Sequence, residues 1–259
     1  MRKLSRLTIA SAMAFGILAA SASPGIAQTN VPEVVRVEGS AQVRDAAGVS
    51  QGAVRVGTKL SPGGTVETGE NGRVVVKLGS TGFAVLDHKS KLEVAPPKES
   101  AGLLRQITGW IYYAIRPDAK RKDPVTVRTT VATIGIRGTR FLVVDVPGRS
   151  ELGMRKGLVS VESLEGAFEL HRLAEKDEFE AYKQQGSAAV GKEKKEFEKF
   201  EAATKTDFAQ YTREFSLGAD RQAIFDGKQV REQALSAEAK REMESAEGFG
   251  AAWLETVKD

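Results

Sequence analysis

Glycine recurs at short intervals over much of the stretch from Gly39 to Gly166, with short runs of strand-forming residues between. Many of them alternate: Val74, Val76 and Leu78 mark one face of 73–78, and Val125 and Val127 do the same before Arg128. A pleated strand sends successive side chains to opposite faces, so short alternating runs separated by turn residues predict strands. Candidate strands lie at 34–37, 41–44, 65–68, 73–78, 83–86, 91–94, 103–108, 110–116, 141–146, 151–155, 158–162 and 167–170. The fold class expected is mainly β, a sandwich, roll or short solenoid of many short strands, followed by an α-helical C-terminal region. No helix-period pattern interrupts the strands, which argues against a parallel βαβ architecture. Asn71-Gly72 is expected to close a hairpin between 65–68 and 73–78, and Pro62-Gly63 to form a type II turn.

The N-terminus reads differently. Arg2, Lys3 and Arg6 precede an apolar run from Leu7 to Ala20, and small residues follow up to Ala27 and Gln28. This is the order of a secretory signal, with cleavage expected between Ala27 and Gln28. The run is shorter than the roughly 20 residues a membrane-spanning helix needs, so no transmembrane segment is expected after the signal is removed. The chain is therefore expected to be periplasmic or secreted. Its formal net charge is +4, of which the three leader cations supply three, so the mature chain is close to neutral. That removes the electrostatic basis for general nucleic-acid binding. The absence of cysteine excludes disulfides, thiolate metal sites and a cysteine nucleophile.

After about residue 174 glycine thins out and Glu and Lys dominate. The expected domains are thus a signal at 1–27, a β domain at 34–173 and a charged helical tail at 174–259. Within the tail, Val190, Phe197, Phe200, Thr204, Phe208, Tyr211 and Phe215 fall within an arc of about 80° if 190–215 is one amphipathic helix. The aromatic members Phe197, Phe200, Phe208, Tyr211 and Phe215 form a candidate interaction seam, because so much apolar surface must be covered. Either the rest of the chain covers it, or self-association through the tail does. A second helix is expected from 221 to about 245, with Ile224, Leu235, Ala239 and Met243 as a weaker stripe.

Several strings inside the β region are more particular. They are Val37-Glu38-Gly39-Ser40-Ala41-Gln42-Val43, then Gly64-Thr65-Val66-Glu67-Thr68-Gly69-Glu70-Asn71-Gly72-Arg73-Val74-Val75-Val76, then Val125-Thr126-Val127-Arg128-Thr129, Arg137-Gly138-Thr139-Arg140-Phe141 and Lys156-Gly157-Leu158-Val159-Ser160-Val161. In this order they resemble the FecR-like periplasmic domain. The resemblance implies a β-rich extracytoplasmic module, the sensing part of iron-uptake regulators that relay a signal to sigma factors. Only six residues precede the apolar run here, so the sigma-regulating role is not expected to transfer, and the chain reads as a stand-alone exported member.

The supply of catalytic groups is thin. His88 and His171 are the two histidines, and their spacing does not place two imidazoles on one ion. No Gly-x-Ser-x-Gly elbow is present. No catalytic residue, metal ligand or cofactor is therefore expected. Within the family motif Arg137, Gly138, Thr139 and Phe141 read as structural: Gly138 takes a positive φ or lets another backbone approach, and Thr139 makes a local hydrogen bond. The alternative gives Arg137 and Arg140 a carboxylate to hold. The function expected is a non-catalytic binding or interaction module of the cell envelope, with a signalling or scaffold role and an envelope protein as partner. The alternative is a structural protein that binds peptidoglycan or another polysaccharide, for which Trp110, Tyr112 and Tyr113 are the aromatic cluster able to stack on sugars.

Overall fold

The computed structural model describes residues 31–96, 103–117, 125–172 and 209–257. The expected signal, its cleavage site at Ala27 and Gln28, and seam positions Phe197, Phe200 and Phe208 lie outside the described residues. Eighteen strands are described: β1 (Glu33–Glu38), β2 (Ala41–Arg44), β3 (Ser50–Ala53), β4 (Thr65–Thr68), β5 (Arg73–Lys77), β6 (Gly82–Leu86), β7 (Lys91–Val94), β8 (Leu103–Ile115), β9 (Val125–Arg128), β10 (Ala132–Ile136), β11 (Arg140–Val146), β12 (Arg149–Lys156), β13 (Leu158–Ser163), β14 (Phe168–Arg172), β15 (Ala209–Thr212), β16 (Glu214–Gly218), β17 (Arg221–Asp226) and β18 (Gln229–Ala234). Two helices follow, α1 (Ala237–Phe249) and α2 (Ala251–Leu254), and then a 3₁₀ turn at Glu255–Val257.

The strands form two layers. One has the order β1–β5–β6–β8–β11–β12–β17–β18–β14–β15. The other has the order β3–β2–β4–β7–β8–β9–β10–β13–β16. Pairing is antiparallel except at β8–β9 and β14–β18. Strand β8 belongs to both layers and makes them one continuous folded sheet. Its first half pairs with β7 and its second half with β6 and β11.

The crossing point is Gly109, which joins the two strands expected at 103–108 and 110–116 into one. Its φ is +103°, and a Cβ there would stand 2.3 Å from the Cα of Ser90, so a side chain is excluded on both grounds. The polar groups freed at the bend are satisfied locally. Ser90 Oγ accepts from the Trp110 N–H at 2.9 Å, and Gln106 donates to the carbonyls of Gly109 and Val143 at 2.8 and 3.1 Å. Tyr113 donates its hydroxyl to Gln106 at 3.1 Å. Buried backbone carbonyls need such partners, which is why polar Gln106 and Ser90 are fully buried here.

Between the layers lies an apolar core drawn from both, including Val66, Leu92, Ile134 and Val161 from one and Val74, Ile111, Phe141 and Leu152 from the other. Phe168, Phe215 and Phe225 meet in it, with ring centroids 5.7 Å apart for Phe168 and Phe215 and 5.9 Å for Phe168 and Phe225. A second core lies on the outer face of the first layer. There α1 lays Ala239, Met243, Ala246 and Phe249 over Val75, Phe83, Val85, Tyr112 and Leu142.

Two expectations need correction. Asn71-Gly72 does not close a hairpin: β4 and β5 lie in different layers, and the turn carries the chain from one to the other. Asn71 instead accepts from Ser40 Oγ at 2.9 Å, and a Cβ on Gly72 would lie 1.9 Å from the Ser40 carbonyl oxygen. Glycine is needed there for the close approach of the β1–β2 crossing. Pro62-Gly63 does behave as expected, with Gly63 at φ +80° and the Gly64 N–H donating to Ser61 at 2.8 Å.

The second correction concerns the helical tail. Within the helix expected at about 190–215, residues 209–212 and 214–215 are strand, and the second helix expected from 221 begins only at Ala237. Tyr211 and Phe215 accordingly do not share a seam. Tyr211 is 73% exposed on β15 in one layer, while Phe215 is 5% exposed on β16 in the other, inside the inter-layer core. Pairing with strands of the first two-thirds decides the outcome: β16 hydrogen-bonds to β13, and β17 to β12.

Candidate functional site

Between the side of α1 that carries Glu238, Glu242 and Ala246 and the sheet lies a cleft of about 250 Å³. Its floor is sheet: Val85 of β6, Trp110 and Tyr112 of β8, and Leu142 of β11. One wall is the β6–β7 turn with Asp87 and His88. The other is Arg149 of β12 with Glu238, Glu242 and Ala246 of α1. Strand alternation places Trp110 and Tyr112 on this outer face and turns Tyr113 inward, where it stacks on Phe141 at 5.0 Å. The three aromatics therefore do not form one exposed platform. Tyr112 and Tyr113 are fully buried, and a stacked His88 at 5.0 Å occupies one face of Trp110.

The helix that closes the cleft is set by its cap. Ser236 Oγ accepts from the Ala239 N–H at 3.1 Å, and the Ser236 N–H is held by Gln222 at 3.0 Å. At the far end the Arg36 and Arg73 guanidinium groups lie 4.1 and 4.5 Å from the Phe249 ring centroid, and Arg36 donates to the Phe249 carbonyl at 2.8 Å. Tyr112 donates its hydroxyl to Glu247 at 2.7 Å, tying the last turn of α1 to β8. Burial and that bond hold the Tyr112 phenol well above the usual tyrosine range.

Charge in the cleft is unevenly matched. Arg149 forms a two-pronged pair with Glu151 at 2.7 and 3.2 Å and also faces Glu238 at 3.2 Å and Glu242 at 3.7 Å. One guanidinium thus serves three carboxylates, and the hydrogen bond to Glu151 raises its pKa. Asp87 is engaged by Arg73 at 3.3 Å and by His88 at 3.3 Å. Burial raises the Glu242 carboxyl above its ordinary value. Arg149 opposes that, Glu238 and Glu151 reinforce it, and the Trp110 indole beside the carboxyl opposes it again.

The family motif lies elsewhere, on the β10–β11 connection. Gly138 has φ +76°, and a Cβ there would press on Pro117 at 2.6 Å, so both readings of this glycine hold. Phe141 is fully buried. Thr139 departs from expectation: its hydroxyl is buried with no hydrogen-bond partner among the described residues, and its methyl side packs beside Gly157. Arg137 is exposed and Arg140 half-buried. His88 and His171 lie on separate elements, His171 beside Glu169 at 3.2 Å on β14. Among the described residues no three His, Asp or Glu side chains are grouped to hold a metal ion. Sequence reasoning reached Trp110 and His88 but not Glu238, Glu242 or Arg149, whose meeting depends on where α1 docks.

Residues 64–160 match the model of the family described as FecR protein. The chain carries a FecR domain. Asp87, His88, Trp110, Leu142 and Arg149 fall within the matched stretch, whereas Glu238 and Glu242 come from outside it, so the cleft joins the FecR domain to the C-terminal segment. No curated protein matches the chain. Among solved structures, the FecR-domain chain is similar to "a putative anti-sigma factor from Parabacteroides distasonis ATCC 8503", in crystal structures at 1.65 and 2.50 Å resolution. Each matches with a TM-score of 0.43 and 13% identity over 67% of this chain and 61% of that one. The chain thus spans about three-fifths of that protein's length. No helix among the described residues is long and apolar enough to cross a membrane.

Proposed function

We propose that this chain is an exported, non-catalytic interaction module of the cell envelope, in which a FecR domain completed by its own C-terminal segment binds an envelope protein in a signalling or scaffold role. The FecR match over residues 64–160 carries this reading. The basic and apolar order of the first 27 residues supports export to the periplasm or beyond. The burial of Tyr112 and Tyr113 weighs toward a protein partner over a polysaccharide, since a sugar would have only the edge and one face of Trp110 to stack on.

The test is fractionation and N-terminal sequencing of the native protein, followed by crosslinking in the intact envelope. The expected result is a mature chain beginning at Gln28 outside the cytoplasm, crosslinked to an envelope protein. A precursor that stays uncleaved in the cell interior would contradict the reading. Retention on purified cell wall with no protein crosslink would replace the protein partner with a polysaccharide.

A further inference from the structure

The cleft between α1 and the sheet is small, apolar at its base and acidic at its mouth. About 250 Å³ falls just below the roughly 300–1,000 Å³ of pockets that take drug-sized ligands, which suits a single side chain or a molecule of that size. Val85, Leu142 and Ala246 offer a lining for methylene groups, and the Trp110 ring offers a face or edge to a cation. The charge balance selects the sign of the ligand. Arg149 is already divided among Glu151, Glu238 and Glu242, and the last two line the cleft with Asp87, so an anion would meet carboxylates there and a neutral ligand would leave them as they are.

We propose that this cleft binds an alkylammonium group, as carried by a lysine side chain of a partner protein, with its methylene stem on Val85 and Leu142 and its charge at the Glu242 carboxylate beside the Trp110 ring. The ammonium supplies a second cation beside Arg149 for Glu238 and Glu242, the two carboxylates of α1 that line the cleft. Glu242 is the anchoring carboxylate because it is the more enclosed of the two on α1, its side chain 26% exposed against 61% for Glu238. Charge-assisted contacts are stronger where water is partly excluded. This deepens the interaction-module reading and rests on it only for the source of the ammonium group.

The mature full-length chain, labelled with ¹⁵N, is titrated with Nα-acetyl-lysine methylamide at low ionic strength while the indole N–H signals are followed. Trp110 lies in the cleft and Trp253 outside it, so the second indole is an internal control. The expected result is a saturable shift of the Trp110 signal with a dissociation constant in the millimolar range, no shift of Trp253, and no saturable response to the uncharged norleucine analogue. Glu242→Gln, which keeps shape and removes charge, is expected to weaken binding about tenfold, as is raising salt to about 0.5 M.

Several outcomes would overturn the proposal. They are no saturable Trp110 shift, an equal response to norleucine, saturable binding of N-acetylglucosamine in place of the amine, or unchanged affinity in a folded Glu242→Gln variant. Because the probe is a free lysine derivative, the outcome does not depend on export or on finding a partner. Failure here and failure of the envelope reading are therefore separately visible.

Discussion

At the scale of single residues, polar groups sit where the sheet is crossed or covered. Glu242 illustrates how such a group reports on its surroundings. Burial raises its pKa in the folded protein, Arg149 from β12 pulls it down, and Glu238 and Glu151 push it up. A carboxyl whose folded value exceeds its unfolded value favours folding while protonated, and that contribution disappears as pH rises through the folded value. Glu242→Gln lacks this term. The stability of the native protein relative to the variant, measured by denaturant unfolding between about pH 4 and pH 8, is therefore expected to fall as pH rises. A difference that is constant or grows with pH would show that the Arg149 pairing outweighs burial. Residues of this kind were partly legible in the chain: Gly138 as a positive-φ position and Phe141 as core follow from residue type. Thr139 does not follow, because the hydroxyl it buries finds no partner among the described residues.

At the scale of elements, the alternating strands of the first two-thirds were legible because each carries its own period and its own turn residues. The strands after residue 208 were misread for a physical reason. Phe208, Tyr211 and Phe215 are spaced 3 and 4, which imitates a helix, while the true alternation is confined to pairs such as Phe215 and Leu217 or Ala223 and Phe225. The Asp226-Gly227 dipeptide between β17 and β18 was the available hairpin signal, and Gly227 does adopt φ +58°. Helix α1 was legible in part, since Ala239 and Met243 lie on its buried face. Met243 is the clearest test of that packing: it is fully buried over Gly153 of β12, where a Cβ would stand 2.8 Å from its methyl carbon. Met243→Ala is expected to cost about 2–5 kcal/mol by denaturant unfolding, as buried truncations do. A cost below about 1 kcal/mol would mean that α1 is not seated on the sheet.

For the whole molecule, the governing feature is that the C-terminal segment is part of the fold that the FecR match describes only to residue 160. β16 and β17 extend one layer each, and α1 covers an outer face holding Val75, Phe83, Val85, Tyr112 and Leu142. Left bare, that face would be an apolar patch of the size that drives association. None of this could be read locally, since strand partners more than 50 residues apart leave no mark on either sequence. The most direct measurement is native-state hydrogen exchange resolved by residue on the intact chain. The expected result is that amides of 214–226 exchange as slowly as those of β12 and β13, through the same global opening. Rapid exchange at 214–226 with β12 and β13 still protected would show a separate tail, and would contradict both the completed domain and the cleft built on it.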